Sequence, residues 1–290
     1  MNENLASLSV WPAPAKLNLF LHIVGRRPNG YHELQTCFQF VDLCDELRIR
    51  VRTDGRILRG AGAHDVPPDA DLSIRAARLL QEASGVALGA DIEVHKRIPM
   101  GAGLGGGSSD AATTLRALDR LWGTRLSLDR LAELGLQLGA DVPVFVRGQA
   151  AWGEGVGERL TPLSGQAAPP EANYLILKPN VSISTQAVFQ DPELTRNTPP
   201  ITIAGFLQAG GRNDCEPVVR RRYPAVAEAL AWLSRFGTAR LTGTGACVFV
   251  DCGSAARGRE ILSEVPPQYE AYLVRGLNTS PLLGRTRRAE

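Results

Sequence analysis

Apolar and polar positions alternate through the first fifty residues of the chain. Leucine or isoleucine occupies every second position from 17 to 23, and polar or aromatic residues lie between them. Successive side chains of a strand point to opposite faces, so this period of two predicts a strand over residues 15–24. Residues 34–41 and 46–52 alternate similarly and predict two more strands. A helix is predicted over residues 71–84, because Gly85 ends its apolar stripe.

The most informative run joins a further strand to a second helix. Residues 91–96 alternate like a strand, and five of the seven residues from 101 to 107 are glycine. An apolar stripe then continues to Trp122, which predicts a helix with Ser108 as its N-cap and Gly123 at its end. Unpaired N–H groups and the helix dipole favour an anion at such a terminus. The predicted ligand is the phosphate tail of a nucleotide, and a flexible turn is the alternative.

Two other phosphate-binding motifs are excluded. A Walker A loop needs a lysine directly before its Ser or Thr, and no lysine precedes Ser108. The dinucleotide pattern Gly-x-Gly-x-x-Gly does occur at 101–106, but a Rossmann unit would continue into a second parallel strand. Here the helix leads instead into another helix that begins near Ser127. We therefore predict no Rossmann domain.

The second half of the chain mixes short strands and helices. Residues 139–143 break the last helix of the first half and are predicted to lead into a strand over 144–146. Residues 148–170 are rich in Gly, Pro and Ala, which favours a hinge between two domains. The later elements are predicted as strands over 174–178, 247–250 and 270–275, helices over 201–209, 224–236 and 255–264, and a second glycine loop over 241–246.

Composition limits the class of protein. A chain of 290 residues with 44% hydrophobic and 21% charged residues is typical of a soluble globular protein with two domains. The net charge of +2 gives no reason to expect nucleic acid or a membrane surface as a partner. No apolar run approaches the roughly 20 residues of a membrane span, and no signal peptide is expected. The five cysteines lack Cys-x-x-Cys spacing, which favours a reducing cytoplasm over structural zinc.

Three blocks resemble, in order, the three motifs of the GHMP kinase superfamily. Three further blocks are similar to the branch of that superfamily that phosphorylates a cytidine diphosphate-linked polyol. The resemblance covers the chain from about Trp11 to Leu283. The first three blocks are residues 13–19 (Ala-Pro-Ala-Lys-Leu-Asn-Leu), 99–109 and 241–245, and the further three are residues 28–36, 139–145 and 191–194.

The resemblance implies an α+β fold of two domains with the active site in the cleft between them. Residues 1–160 would form an S5-like, ATP-binding domain, and residues 161–290 a ferredoxin-like domain on the acceptor side. Whether the last strand returns to the first domain stays open. The implied reaction transfers the γ-phosphoryl group of ATP to the 2-hydroxyl of a cytidine diphosphate-linked methylerythritol.

Two charged residues are the expected catalytic pair. Asp141 lies on a turn before Val-Pro, where capping is the alternative to catalysis. Lys16 lies on an apolar strand, where an unpaired ammonium is costly unless it extends to water. The resemblance implies that Asp141 accepts the proton of the acceptor hydroxyl and that Lys16 pairs with it. It also implies that Asn18 contacts the acceptor, with a cross-strand hydrogen bond as the alternative.

The implied ATP site draws on both glycine loops. The hydroxyls of Ser108 and Ser109 are candidates for phosphate or Mg²⁺ contact, with helix capping as the alternative. The sequence has no paired-carboxylate motif, so the ligands of the expected Mg²⁺ stay unassigned. The ATP-binding residues are predicted to be Pro99, Met100, Gly101, Ala102, Gly103, Leu104, Gly105, Gly106, Gly107, Ser108, Ser109, Thr242, Gly243, Thr244 and Gly245.

The implied acceptor site follows a turn at 28–30. An aromatic ring and an imidazole, Tyr31 and His32, suit a planar base by stacking and hydrogen bonding. Ordinary strand residues are the alternative. The resemblance implies that this pair recognises cytosine, that Phe189 helps to enclose it, and that Thr185 also contacts the acceptor.

The competing functions are another small-molecule kinase, for mevalonate or homoserine, and a non-catalytic S5-like protein that binds nucleotide or RNA. The residues at 31 and 32 favour a cytidine-bearing acceptor over the first, and near-neutral charge disfavours the second. The expected partners are ATP and the acceptor alone, with no nucleic acid and no membrane. The chain is expected to work in the cytoplasm as a monomer or a homodimer.

Overall fold

The computed structural model describes residues 7–62, 67 and 69–286. Across these residues the chain forms one sheet of ten strands with helices packed against it. The strands are β1 (Ser9–Arg26), β2 (His32–Arg52), β3 (Ile57–Gly62), β4 (Gly89–His95), β5 (Ala151–Gly155), β6 (Arg159–Pro162), β7 (Asn173–Lys178), β8 (Arg240–Leu241), β9 (Val248–Asp251) and β10 (Glu270–Leu277).

The helices follow the strands in an α+β order. The one over residues 72–84 is as predicted, with Asp71 as N-cap and Gly85 in the left-handed conformation at its end. The helices are α1 (Leu72–Ser84), α2 (Gly106–Trp122), α3 (Leu128–Leu136), α4 (Val142–Arg147), α5 (Thr185–Phe189), α6 (Ile203–Ala209), α7 (Glu216–Arg222), α8 (Pro224–Leu233), α9 (Ala255–Ser263) and α10 (Pro281–Thr286).

Strand β2 holds the sheet together. Its 21 residues pair with β1, β4 and β5, so the two strands predicted over 34–41 and 46–52 are one continuous strand. Strand β10 pairs with β7 over most of its length and meets β2 at Gly276 and Leu277. The two halves of the chain therefore share one sheet. The domain boundary near residue 160 stays a prediction.

Three local predictions are wrong. Residues 144–146 belong to α4 rather than to a strand, because Pro143 at the start of the helix matches its fixed φ to the first turn. Residues 148–170 include the paired strands β5 and β6, so this segment is not an open hinge. Ser108 is not the N-cap of α2: Gly105 takes that position in the left-handed conformation, without a side-chain hydrogen bond.

Three buried clusters support the cleft. One packs α1, α2 and α3 on β2 and β4, and a second packs α8 and α9 on β7 and β9. The third joins them, because it contains Leu17 of β1, Leu104 of the first glycine loop and Phe249 of β9. Its aromatic members Phe20 and Phe206 lie with ring centroids 4.8 Å apart. Burying such rings removes large apolar areas from water and stabilises the packing of the first glycine loop against β1 and β9.

Within the described residues, no helix has the length and apolar character needed to cross a membrane. All five cysteines are free, and four of them are buried.

Candidate active site

A buried ion pair links β1 to the start of α4. The ammonium of Lys16 lies 3.2 Å from a carboxylate oxygen of Asp141, and only 3% of the lysine side chain is exposed. The same ammonium donates to Oδ1 of Asn18 at 2.5 Å and to the carbonyl of Gly103 at 3.1 Å. An ammonium has three N–H groups, so these three acceptors satisfy all of them in a site where an unpaired charge would be costly.

Asp141 is held in position and left available for chemistry. It precedes α4, where a carboxylate often caps the helix, yet its side chain makes no capping hydrogen bond. About a third of that side chain, 34%, is exposed. The geometry rules out the capping alternative and leaves one face of the carboxylate open to a ligand.

The first glycine loop is shaped by three left-handed residues. Gly101, Gly103 and Gly105 have φ of 62°, 78° and 73°, a region that residues with a side chain rarely adopt. The backbone N–H of Lys16 donates to the carbonyl of Leu104 at 3.0 Å, which ties the loop to β1. The loop ends at the first turn of α2, whose unpaired N–H groups lie where the sequence predicts an anion site.

The second glycine loop packs on the first. The hydroxyl of Thr242 accepts from the backbone N–H of Asn18 at 3.0 Å and donates to the carbonyl of Gly103 at 3.3 Å. A Cβ at Gly103 would lie 2.3 Å from the carbonyl oxygen of Thr242. Asn213 holds the second loop from behind, because its side-chain amide donates to the carbonyls of Leu241 and Gly243 at 2.9 and 2.8 Å.

Two cavities meet at the first glycine loop. One, of about 380 Å³, is lined by Lys96, Leu72 and the loop as far as Ser108, and we call it the nucleotide-side cavity after the ligand that the sequence predicts. The other, of about 310 Å³, is lined by Lys16 and Asp141, and we call it the acceptor-side cavity for the same reason. Both cavities are lined by Gly103, Gly105 and Ser108, so these residues form a common wall.

The predicted ATP residues divide between these cavities. Thr242, Gly245, Leu104 and Ser109 line neither, and all four are buried. The hydroxyl of Ser109 is enclosed without a hydrogen-bond partner, so it does not reach the ligand space that the sequence analysis expected. The nucleotide-side cavity is lined by Pro99, Met100, Gly101, Ala102, Gly103, Gly105, Gly106, Gly107 and Ser108, and the acceptor-side cavity by Asn18, Gly243 and Thr244 as well as Lys16 and Asp141.

The nucleotide-side cavity contains a buried charge cluster. Lys96 pairs with Asp45 and, at 2.7 Å, with Asp110. Asp45 also accepts a hydrogen bond from the backbone N–H of Ile98, so the carboxylate of Asp110 accepts fewer hydrogen bonds than that of Asp45. Burial raises the pKa of Asp110 to about 7; Lys96 opposes this rise and Asp45 adds to it. Sequence reasoning missed this cluster, because its members are distant along the chain.

Five residues are predicted to bind the acceptor, and one of them, Asn18, lines the second cavity beside Lys16. Phe189 and Thr185 line it, and the hydroxyls of Thr185 and Thr244 are 2.9 Å apart. The imidazole of His32 stacks on Phe189 with centroids 5.0 Å apart and planes at 25°. Neither Tyr31 nor His32 lines the cavity, and Tyr31, the residue before His32, is 63% exposed.

The surroundings of His32 favour the neutral form of its ring. Burial lowers its pKa, and the guanidinium groups of Arg196 and Arg26 lower it further.

Asn18 connects β2 to the ammonium of Lys16. Its side-chain amide donates to the hydroxyl of Thr36 on β2 at 2.9 Å, while its side-chain oxygen accepts from Lys16. The cross-strand hydrogen bond that the sequence analysis left open is therefore present.

The described residues offer few ligands for a metal. No group of three or more His, Cys, Asp or Glu side chains is arranged for one among them. A Mg²⁺ ion that travels with a nucleotide needs only one or two protein oxygens, since phosphates and water complete its shell. Ser108 lines both cavities, whereas the carboxylate of Asp141 is paired with the ammonium of Lys16. A single hydroxyl at the common wall fits an ion that is held mainly by phosphate oxygens and water.

Comparison with known proteins agrees with this geometry. The model of the GHMP kinases N terminal domain matches residues 71–149, and that of the GHMP kinases C terminal domain matches residues 200–271. A 4-diphosphocytidyl-2-C-methyl-D-erythritol kinase of Alkalilimnicola ehrlichii is 57% identical over 277 residues, covering 96% of this chain and 94% of that protein. The chain belongs to this family of GHMP kinases. A family member of Chromohalobacter salexigens is 58% identical over 277 residues, covering 93% of this chain and 92% of its own.

Two solved structures superpose on this chain and share its fold. A crystal structure of a 4-(cytidine 5'-diphospho)-2C-methyl-D-erythritol kinase superposes with a TM-score of 0.81 at 32% identity, covering 92% of this chain and 99% of that one. The mevalonate kinase of Methanococcus jannaschii superposes with a TM-score of 0.71 at 15% identity, covering 96% and 100%, and shares the fold alone. The predicted two-part α+β GHMP fold is confirmed, and the chain is an ATP-dependent small-molecule kinase.

Proposed function

We propose that the protein transfers the γ-phosphoryl group of ATP to the 2-hydroxyl of 4-diphosphocytidyl-2-C-methyl-D-erythritol. The products are ADP and the 2-phosphate, an intermediate of the non-mevalonate route to isoprenoid precursors. The observation that carries the proposal is the Lys16–Asp141 pair beside the wall that the two cavities share. The names of the relatives supply the acceptor. We further propose that the reaction takes place in the cytoplasm, in a monomer or a homodimer.

ATP would occupy the nucleotide-side cavity with its phosphates along the glycine loop. The unpaired N–H groups at the start of α2 then donate to phosphate oxygens, and the helix dipole favours their charge. Ser108 lies at the end of this cavity and also lines the other one. The γ-phosphoryl group is therefore expected at the common wall, where an acceptor hydroxyl in the second cavity can attack it in line.

Asp141 would accept the proton of that hydroxyl. Its carboxylate is partly exposed in the acceptor-side cavity and makes no capping bond, so a lone pair is free for the substrate. Lys16 would hold the carboxylate in one rotamer and offset charge on the transferred group. Because Lys16 also donates to the carbonyl of Gly103, a single ammonium aligns base and phosphate loop.

Mg²⁺ is part of the proposal, and the hydroxyl of Ser108 would hold it together with phosphate oxygens and water. An ion held there would offset charge on the β- and γ-phosphates. Ser109 is excluded from this role, because its hydroxyl is enclosed away from both cavities.

The pyrimidine end of the acceptor would lie against Phe189 and His32. Phe189 lines the acceptor-side cavity and offers a ring face, while the neutral imidazole beside it offers a hydrogen bond. Tyr31, exposed beside this position, is proposed to cover the base from the cavity mouth. These contacts would bind the cytosine of the acceptor, and Asn18 and Thr185 would contact the rest of the acceptor molecule.

The direct test is to incubate the protein with ATP, Mg²⁺ and the cytidine diphosphate-linked acceptor and follow the products by ³¹P NMR. A new phosphomonoester on carbon 2 together with ADP is expected. A phosphate on another hydroxyl, or ADP without a phosphorylated acceptor, would overturn the proposal. Asp141→Asn serves as the control and is expected to yield neither product at a comparable rate.

A further inference from the structure

The guanidinium of Arg196 lies directly behind the proposed cytosine site. Its Nε donates to Nε2 of His32 at 3.1 Å. Its two terminal nitrogens donate to backbone carbonyls of the segment after α5, at 3.0 Å to Phe189, 2.7 Å to Asp191 and 3.0 Å to Leu194. One side chain therefore fixes both partners of the stacked pair, the imidazole from its edge and Phe189 through its carbonyl.

The contact with Arg196 determines which nitrogen of His32 carries the proton. A guanidinium has only donors and stays protonated, so Nε2 of His32 must be the acceptor. A neutral imidazole with Nε2 unprotonated carries its proton on Nδ1. No group in the described part of the chain accepts a hydrogen bond from Nδ1. The Nδ1 atom is also not sealed off from solvent, unlike the enclosed Nδ1 of His22. His32 thus presents a hydrogen-bond donor that the protein itself does not use.

We propose that Arg196 is a positioning residue that sets the choice of pyrimidine by fixing the tautomer of His32. The proposal rests on the proposed function, in which His32 faces the base. Both pyrimidines carry an acceptor at O2, but only cytosine has an acceptor at N3, which a fixed N–H donor matches. Uracil carries a proton on N3, so the same donor would meet a second donor there, and a buried mismatch of this kind is costly.

The surrounding charges agree with this assignment. Arg221 and Arg222 also contact the 189–194 segment, but they bind its acidic side chain Asp191 at 2.9 and 3.1 Å and do not reach the imidazole. Arg196 alone of the three donates to His32. This arrangement supplies a matched control, since Arg221→Gln loosens the same segment without touching the ring.

The first experiment uses the unaltered protein. Long-range ¹H–¹⁵N spectra distinguish the two neutral tautomers, and loss of the signal in His32→Gln assigns it. We expect the Nδ1–H form in wild type and a mixture of forms in Arg196→Met, which keeps the apolar stem and removes every donor. A wild-type ring protonated on Nε2 would overturn the proposal, whatever substrate the enzyme takes.

The second experiment compares kcat/KM for cytidine- and uridine-linked acceptors. In Arg196→Met the preference for cytidine should fall about tenfold, the cost of one mismatched hydrogen bond, while KM for ATP stays the same. Arg196→Lys retains one donor and should keep more of the preference, and Arg221→Gln all of it. An unchanged preference in Arg196→Met would overturn the inference. Wild type without activity on the cytidine acceptor would instead contradict the proposed function.

Discussion

Replacing Gly103 or Gly107 by alanine should have different effects: the first change should lower stability, and the second should weaken ATP binding. Gly103 has a φ of 78°, and a Cβ there would lie 2.3 Å from the carbonyl oxygen of Thr242. Gly107 lies in the first turn of α2, where the nearest atom to a Cβ is Leu72 Cδ1 at an ordinary 3.5 Å. Gly103 is therefore required for the packing of the two loops, and Gly107 is free to change as far as folding is concerned.

The magnitudes follow from these positions. A residue with a side chain in the left-handed region costs about 1–3 kcal/mol, and the carbonyl clash adds to it, so Gly103→Ala should unfold at clearly lower temperature. Gly→Ala within a helix stabilises by roughly 0.5–1 kcal/mol, which raises Tm by about 1–4 °C for Gly107→Ala. The new methyl nevertheless lies between Leu72 and the loop in the nucleotide-side cavity. Loss of one charge-assisted phosphate contact would raise KM for ATP about ten- to a hundredfold.

Thermal unfolding and initial-rate kinetics measure both effects on the same samples. Gly284→Ala is the matched control, because it adds a methyl to α10 with nothing within 4 Å and lies outside both cavities. It should gain stability and keep its KM for ATP. A Gly107→Ala enzyme with unchanged KM would show that the phosphates do not follow the start of α2. A Gly103→Ala enzyme as stable as wild type would show that the loops do not pack as described.

Three further outcomes are expected. Asp141→Asn should lower kcat by at least ~10²-fold with little change in KM for ATP, and near-normal turnover would remove it as the base. Tyr31→Ala should raise KM for the cytidine acceptor roughly five- to a hundredfold and spare KM for ATP, whereas the reverse would assign it to adenine. Because burial raises the pKa of Asp110 to about 7, folding binds a proton there, and stability from this group is lost as pH rises towards 7. Asp110→Asn should flatten that part of the Tm–pH curve, and an unchanged curve would refute this.

Local patterns predicted those parts of the fold in which neighbouring residues determine the outcome. The helix ended by Gly85 and the glycine loop before α2 depend on backbone preferences within a few residues, and both are present. Residues 144–146 were assigned to a strand because three β-favouring residues in a row have no period that separates strand from a short buried helix. Pairing across the chain, such as β10 reaching β2, has no local signature at all.

The site shows the same division. Lys16 and Asp141 were found through motifs that resemble a known superfamily, and their 3.2 Å contact joins residues far apart in sequence. The capping role of Ser108 was wrong because Gly105, already left-handed, begins the helix. The contacts of Arg196 have no local signature in the sequence, because its four acceptors come from two segments that are far apart along the chain. The sequence marks residues 191–194 only as a block that resembles the superfamily, and their contacts with Arg196 are visible only in the structure.

The most direct test of the proposed activity is ADP release from ATP with four acceptors in parallel: the cytidine diphosphate-linked methylerythritol, mevalonate, homoserine and galactose. Each assay uses wild type and Asp141→Asn at equal concentration, so that release independent of the proposed base is subtracted. We expect release with the cytidine-linked acceptor alone, and its loss in Asp141→Asn. Faster release with any of the other three, or equal release by both proteins, would contradict the assignment of this cleft.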